Sequence, residues 1–125
     1  MENKKEYQLV MVIVNKGYTD LAMNAATSKG ARGGTQLSAR GTGSKEIGKF
    51  YGIDIIPEKD VVLIIVEKNI ADDVIKAIYD ACGLDTQGAG IIFSLPVDDV
   101  IGLTANLDVS NIEKVWYIII DILFI

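Results

Sequence analysis

The stretch "VVLIIVEKNIADDVIKAIYDACGLDTQGAGIIFSLPV", Val61–Val97, contains a strand, a helix and a second strand in succession. "VVLIIVE" is a continuous run of branched and apolar residues, which is typical of a buried strand. The next segment carries an apolar stripe at a spacing of four, which predicts a helix: Ile70, Val74 and Ile78. We expect Asn69 to cap this helix and Gly83 to end it. "IIFSLPV" is the second strand, and Pro96 marks its end.

The first half of the chain has the same order of elements. "YQLVMVIVN", Tyr7–Asn15, predicts another buried strand. "YTDLAMNAATSKG" predicts a helix that Thr19 or Asp20 caps and that Gly30 follows at the C′ position. "GGTQLSARG" predicts a strand bounded by glycines, and Gly41–Asp60 is a loop without a clear period. The chain therefore contains two strand–helix–strand halves.

These two halves predict an α+β fold. Right-handed crossovers place both helices on one face of a four-stranded sheet, which is the ferredoxin-like βαββαβ sandwich. The strands are apolar on both faces, so the face without helices needs a cover, and a homo-oligomer is the simplest one. We expect a single domain over residues 1–125, with a core at 7–103 and an extension at 104–125.

The extension ends in the apolar segment "VWYIIIDILFI", Val115–Ile125. This segment is shorter than the roughly 18 residues that a membrane span needs. We interpret it as an extra strand or helix that is buried in the fold or in an oligomer contact. A contact with a membrane surface or with another protein is the alternative.

Composition excludes several classes of function. The formal net charge of −5 argues against nucleic acid as a partner, because binding to phosphates along a nucleic acid needs a basic surface. The 125 residues include one cysteine and no histidine, which excludes an internal disulfide, a Ser-His-Asp triad and most zinc sites. The charged N-terminus "MENKKEYQ" has no apolar segment behind it, so we expect a cytoplasmic protein.

Two glycine-bearing loops are the candidate functional elements, Gly41–Asp60 and Leu84–Gly90. Their backbone N–H groups are suited to bind anions, and cations lie in or beside the first loop: Arg32, Arg40, Lys45 and Lys49. One interpretation is a phosphate pocket between subunits, and the other is turn glycines with solvated charges. "GSKEIGKF" is not a phosphate-binding P-loop, because Phe50 replaces the magnesium-binding hydroxyl.

Three segments resemble the P-II signal-transduction family, and most closely its short-loop, P-II-like members: "GARGGTQLSARGTG", "IPEKDVVLIIV" and "GAGIIFSLPVDDVIGL". The resemblance covers Tyr7–Leu103. It implies a ferredoxin-like homotrimer whose sheets face inward, with adenine nucleotides bound in three clefts between neighbouring subunits. It also implies that the Gly41–Pro57 loop docks on a transporter, an enzyme or a regulator.

The resemblance also assigns site residues by position. The loop Gln87, Gly88, Ala89 and Gly90 would hold phosphates through its backbone. Thr35 and Ile64 fall where the family contacts adenine. Gly41, Gly43 and Lys45 fall at the base of the docking loop. Ile91 replaces the family's phosphate-binding lysine, and Gly102 and Thr104 replace two basic residues, so Arg32, Arg40, Lys45 or Lys49 would have to substitute.

The resulting prediction is a non-enzymatic, energy-sensing regulator that binds ADP or ATP, with or without magnesium. It would regulate a partner, such as a membrane transporter, through the Gly41–Pro57 loop. No residue is predicted to bind a metal. One alternative is a P-II-like trimer that senses a cyclic nucleotide, a metabolite or a metal. Another is a slow nucleotide phosphatase, for which Glu46 and Asp54 are the nearby carboxylates.

Overall fold

A computed structural model describes residues 5–42, 49–50, 53–54 and 57–103, with only the backbone described at 49–50 and 53–54. Six strands and two helices follow one another along these residues in the order β1, α1, β2, β3, β4, β5, α2, β6. The strands are β1 (Tyr7–Asn15), β2 (Thr35–Arg40), β3 (Lys49–Phe50), β4 (Ile53–Asp54), β5 (Glu58–Glu67) and β6 (Gly90–Val97). The helices are α1 (Thr19–Ser28) and α2 (Lys68–Cys82).

Four of the strands form one antiparallel sheet in the order β2-β5-β1-β6. Near its centre, Val12 lies opposite Val62 on one side and Ile92 on the other. The short strands β3 and β4 pair only with each other among the described residues. The predicted α+β, ferredoxin-like βαββαβ fold is confirmed.

Both helices cover the same face of this sheet, which we call the covered face. Strand residues alternate between two environments, because successive side chains point to opposite sides. On the covered face, the central strands and the two helices share a core with no exposed surface: Val10, Val12, Val14, Val62, Ile64, Ala22, Ala26, Val74 and Ile78. This burial is the main apolar contribution to the stability of the single chain.

The opposite side of the sheet, which we call the open face, is equally apolar and carries no helix among the described residues. Its residues are half-buried or exposed, and Leu37, Leu95 and Ile91 have 50%, 47% and 58% of their surface in contact with solvent. The part of the chain that the structure describes therefore leaves one apolar sheet face uncovered. The predicted trimer would cover it, and that assembly remains a prediction.

The structure corrects both predicted helix N-caps. Helix α1 follows Tyr18 with no side-chain cap, and the Thr19 hydroxyl instead donates a hydrogen bond to Oδ2 of Asp60 at 3.1 Å. Helix α2 already begins at Lys68, so Asn69 lies inside it, and the extended backbone of Glu67 precedes it. Strand β5 and helix α2 thus follow each other directly, which leaves no room for a separate capping residue.

Other predicted boundaries have mixed outcomes. Strand β5 begins at Glu58, three residues before the predicted Val61, because Arg40 and Glu58 are paired at its start. Gly83 ends α2 in the left-handed conformation, with φ of 64°, as predicted.

The segment Val115–Ile125 lies outside the described residues. Neither of the two described helices has the length and apolar character of a membrane-spanning helix.

Candidate functional site

Both glycine-bearing loops meet the sheet at one end, which we call the loop end. The antiparallel register causes this arrangement: Asn15, the last residue of β1, lies opposite Lys59 near the start of β5. Val14 lies opposite Gly90, the first residue of β6. Strand β2 finishes at the same end, with Arg40 opposite Glu58. The loop end is therefore where the predicted anion-binding backbone lies.

The second glycine loop is a tight turn between α2 and β6. The Ala89 N–H donates to the Thr86 carbonyl at 3.1 Å, and Gly90 has φ of 148°. A Cβ added at Gly90 would lie 2.3 Å from the Ile13 carbonyl oxygen, so only glycine fits there. The close approach of β1 and β6 thus accounts for one of the glycines that the sequence alone assigns to a ligand.

The first loop leaves and re-enters the sheet through residues that touch each other. The Gly41 N–H donates to the Pro57 carbonyl at 2.8 Å. A Cβ on Gly41 would lie 3.1 Å from Cε of Lys59, so the lysine stem packs over this glycine. The predicted residues Gly43, Lys45 and Glu46 lie outside the described residues. Only the backbone of Lys49 and Asp54 is described, in β3 and β4.

Asn15 and Lys59 are functional candidates that the sequence reasoning missed. The Lys59 ammonium donates to Oδ1 of Asn15 at 2.5 Å, and Nδ2 of Asn15 lies 3.5 Å from the Gly88 carbonyl oxygen. The sequence places Asn15 only as the polar end of an apolar strand. The strand register, which brings it opposite Lys59, was the missing information.

A buried carboxylate ties the loop end to helix α1. Asp60 is 3% exposed, and its Oδ2 accepts hydrogen bonds from the Gly17 N–H at 3.2 Å and from the Thr19 hydroxyl. The Gly17 hydrogen bond is the main cause that holds the pKa of Asp60 below its usual value of 3.8, against the opposing effect of burial. Asp60 is therefore an ionised structural anchor beneath the cleft.

A cleft of about 190 Å³ opens beside this anchor. Its lining is Lys16, Ser38, Ala39, Arg40, Glu58, Lys59 and Asp60. Two of its charges are paired, because Lys16 and Glu58 form an exposed ion pair at 3.1 Å. Pockets that enclose whole ligands usually measure about 300–1,000 Å³, so this cleft has room for a phosphate or a small carboxylate. Among the described residues, no group of three metal-ligating side chains comes together.

The structure brings some of the predicted site residues together and separates others. Arg40 and Gly41 lie at the loop end, as do the loop from Gln87 to Gly90 and the exposed Ile91. Thr35 begins the outer strand β2, opposite Leu63 in the middle of β5. Arg32 lines a different hollow, of about 180 Å³, together with Tyr7 and Glu67. Ile64 is fully buried on the covered face, where its side chain packs in the core.

The two glycine loops nevertheless lie on opposite edges of the sheet. Gly41 follows β2 and Gly90 begins β6, and these are the two outer strands. With a strand spacing near 4.8 Å, about 14 Å separates the two edges. Within one chain, the two glycine loops therefore lie three strand spacings apart.

The described residues thus form a ferredoxin-like sheet with both glycine-bearing loops at one end. The sequence model of the nitrogen regulatory protein P-II matches residues 7–106, so the chain belongs to the P-II family of signalling proteins. None of the curated protein sequences is significantly similar to this chain.

A solved structure supports the same assignment. The PII protein of Arabidopsis thaliana bound to citrate superposes with a TM-score of 0.63 and 26% sequence identity. The match covers 83% of this chain and 86% of the Arabidopsis chain. The predicted family resemblance is thereby confirmed.

Proposed function

We propose that this chain is a non-catalytic P-II regulator that binds an adenine nucleotide, ADP or ATP, between subunits of a homotrimer in the cytoplasm. The nucleotide would control docking of the Gly41–Pro57 loop on a partner protein, with a membrane transporter as the family-level candidate. Membership of the P-II family and the position of both glycine loops at the loop end support this proposal.

The observation that carries the proposal is the division of the site between two edges. The phosphate-binding loop before β6 and the base of the docking loop after β2 lie on outer strands of the same sheet. When copies of the chain pack through their open faces, the β6 edge of one subunit faces the β2 edge of the next. The exposed apolar residues of that face supply the driving force for such packing.

The small number of cations at the site favours an anion of low charge. Ile91 replaces the lysine that the family uses for phosphates. The described cations that line the cleft are Arg40, Lys59 and Lys16, and Lys16 is paired with Glu58. Fewer cations stabilise fewer phosphate charges. We therefore expect ADP to compete better against ATP here than it does in family members with the full set of basic residues.

The regulatory step in this proposal is a shift in population. The nucleotide that holds the loop base in its partner-binding form more tightly raises the fraction of that form. ADP and ATP must differ in this respect for the protein to report energy state, because a ligand with equal affinity for both forms shifts neither.

Calorimetric titration with ADP, ATP, AMP and cyclic dinucleotides tests the proposal. We expect saturable binding of ADP or ATP at one site per subunit. The variant Arg40→Gln should weaken binding about tenfold, the usual size of one lost charge-assisted contact. Arg32→Gln is the matched control, because Arg32 lies at the hollow beside Tyr7 and should change binding less than twofold. Absence of binding by every nucleotide would overturn the proposal.

A small carboxylate is a second candidate ligand. The related Arabidopsis structure contains citrate, and the cleft of about 190 Å³ matches a molecule of that size better than a whole nucleotide. Titration with citrate in the same series decides between the two. Tight citrate binding that Arg40→Gln abolishes, without nucleotide binding, would replace the nucleotide by a carboxylate effector.

A further inference from the structure

A single side chain connects the two glycine loops at the loop end. Asn15 faces the Gly88 carbonyl through its Nδ2 atom and accepts from the Lys59 ammonium through its Oδ1 atom. Asn15 and Lys59 lie directly opposite each other in the antiparallel register and share the open side of the sheet. Asn15 therefore links the turn before β6 to the start of β5 through hydrogen bonds.

The chemistry of the two neighbours fixes the orientation of the Asn15 amide. An ammonium group only donates hydrogen bonds, and a backbone carbonyl only accepts them. The amide oxygen must therefore face Lys59, and the amide nitrogen must face Gly88. Asparagine satisfies both at once, whereas aspartate at this position would satisfy the lysine and repel the carbonyl oxygen.

The connection continues from Lys59 to the base of the docking loop. The Lys59 stem packs over Gly41, since a Cβ added there would lie 3.1 Å from Cε and 3.5 Å from Cγ of the lysine. Gly41 in turn donates its N–H to Pro57. The resulting series of contacts runs from Gly88 through Asn15 and Lys59 to Gly41, and so crosses from one edge strand to the other.

We propose that Asn15 is a positioning residue that couples the Gln87–Gly90 loop to the Gly41–Pro57 base, so that a displacement of the Gly88 carbonyl changes the stability of the Gly41 hydrogen bond. For the case in which a bound ligand causes this displacement, the inference rests on the proposed function. The coupling itself is a property of described contacts and can be tested without any ligand.

Two variants, one at Asn15 and one at its neighbour Gly88, isolate this contact together with one control. Asn15→Asp keeps the acceptor for Lys59 and removes the donor to Gly88. Gly88→Ala displaces the turn, because φ of 81° strains any residue with a Cβ although no other atom lies within 4 Å. Gln8→Glu is the matched amide-to-acid control on β1, at the end of the strand opposite to Asn15.

The first measurement is hydrogen exchange of the Gly41 amide without ligand, followed by NMR. We expect Gly88→Ala to change the exchange rate about fivefold, the ratio that corresponds to one weak hydrogen bond. The same substitution should change the exchange rate less than twofold in the Asn15→Asp background. In the Gln8→Glu background, it should again change the rate about fivefold. An equal response to Gly88→Ala with and without the Asn15 amide would overturn the inference.

The second measurement repeats the exchange experiment with saturating ADP. We expect ADP to slow Gly41 exchange in the unsubstituted protein and to leave it unchanged in Asn15→Asp, although both bind ADP by calorimetry. Binding with an equal response in both proteins would overturn the coupling role of Asn15. Absence of ADP binding to the unsubstituted protein would contradict the proposed nucleotide function, while the ligand-free experiment would still decide the role of Asn15.

Discussion

The two faces of the sheet use the same kinds of residues and end in different environments. On β5, Ile64 is fully buried on the covered face, whereas its neighbour Leu63 on the open face keeps part of its surface in solvent. On β6, Ile92 is half-buried and packs against the core, and the adjacent Ile91 is 58% exposed. The difference arises from the helices alone, because both crossovers place them on one side.

This contrast separates two contributions to stability, burial within one chain and burial between copies. The apolar pattern of the sequence does not distinguish them. Burial on the covered face happens when one chain folds, so its free energy does not depend on protein concentration. In the proposed trimer, burial on the open face requires further copies, so its contribution would depend on concentration through mass action. Substitutions on the two faces should therefore change the free energy of unfolding by different amounts. Only those on the open face should have an effect that depends on protein concentration.

The largest expected effect is on the covered face. Ile64→Ala should lower the free energy of unfolding by about 2–5 kcal/mol, because it removes buried methylene groups and leaves a cavity. The matched variant Leu63→Ala should cost less at low protein concentration, where subunits are dissociated. Chemical denaturation at two protein concentrations measures both, and an equal cost at every concentration would contradict the distinction between the faces.

A smaller loss of stability, but a larger change in assembly, is expected on the open face. Phe93→Asp replaces an exposed aromatic side chain halfway along the outer strand β6, opposite Met11. The isolated chain should lose at most about 1–2 kcal/mol. The charge should prevent packing between copies, so that light scattering reports one chain instead of three. A Phe93→Asp protein that remains trimeric would show that this face is not the subunit contact.

A third effect should appear only in acid. The pKa of Asp60 is lowered chiefly by the Gly17 N–H, so ionised Asp60 stabilises the folded state above the usual pKa of 3.8. That stabilisation is complete above about pH 5 and is lost as pH falls through 3.8 and then through the lower pKa of the folded state.

Asp60→Asn tests this pH dependence. The variant should be less stable than the unsubstituted protein at neutral pH, because an amide accepts less strongly from Gly17 and Thr19. Its stability should also decline less steeply between about pH 5 and pH 3. Parallel declines in thermal denaturation across that range would show that Asp60 titrates alike in the folded and unfolded states.

The sequence was sufficient for the fold because local signals agreed with each other. The apolar runs at Tyr7–Asn15 and Val61–Glu67 and the stripe at Ile70, Val74 and Ile78 predicted the strands, the second helix and the bare face correctly. The N-caps were wrong because the prediction treated Asn69 as an isolated local signal. In the folded chain, direct succession of β5 and α2 determines where that helix begins.

The candidate site was less predictable, because it depends on register across strands. Asn15 and Lys59 are 44 positions apart and meet only when β1 and β5 pair in one alignment. The alternation of residues along β5 also places Ile64 on the side of Val62, and thus in the core. A glycine such as Gly34 was also ambiguous, since a Cβ there would lie 2.9 Å from Sδ of Met23 and 3.0 Å from the Leu63 carbonyl oxygen, so close packing also favours glycine.

The smallest expected effect concerns an ion pair at the end of the sheet opposite the loop end. Glu6 and Lys68 lie 3.2 Å apart, and both side chains are largely exposed. Glu6→Gln should lower the free energy of unfolding by about 0.5 kcal/mol or less, and the difference should vanish near 1 M salt, where such pairs are screened. Denaturation curves at low and high salt measure it. A loss above about 1.5 kcal/mol that persists in high salt would mean that Glu6 becomes buried when copies assemble. The region covered by assembly would then extend beyond the open face to this end of the sheet.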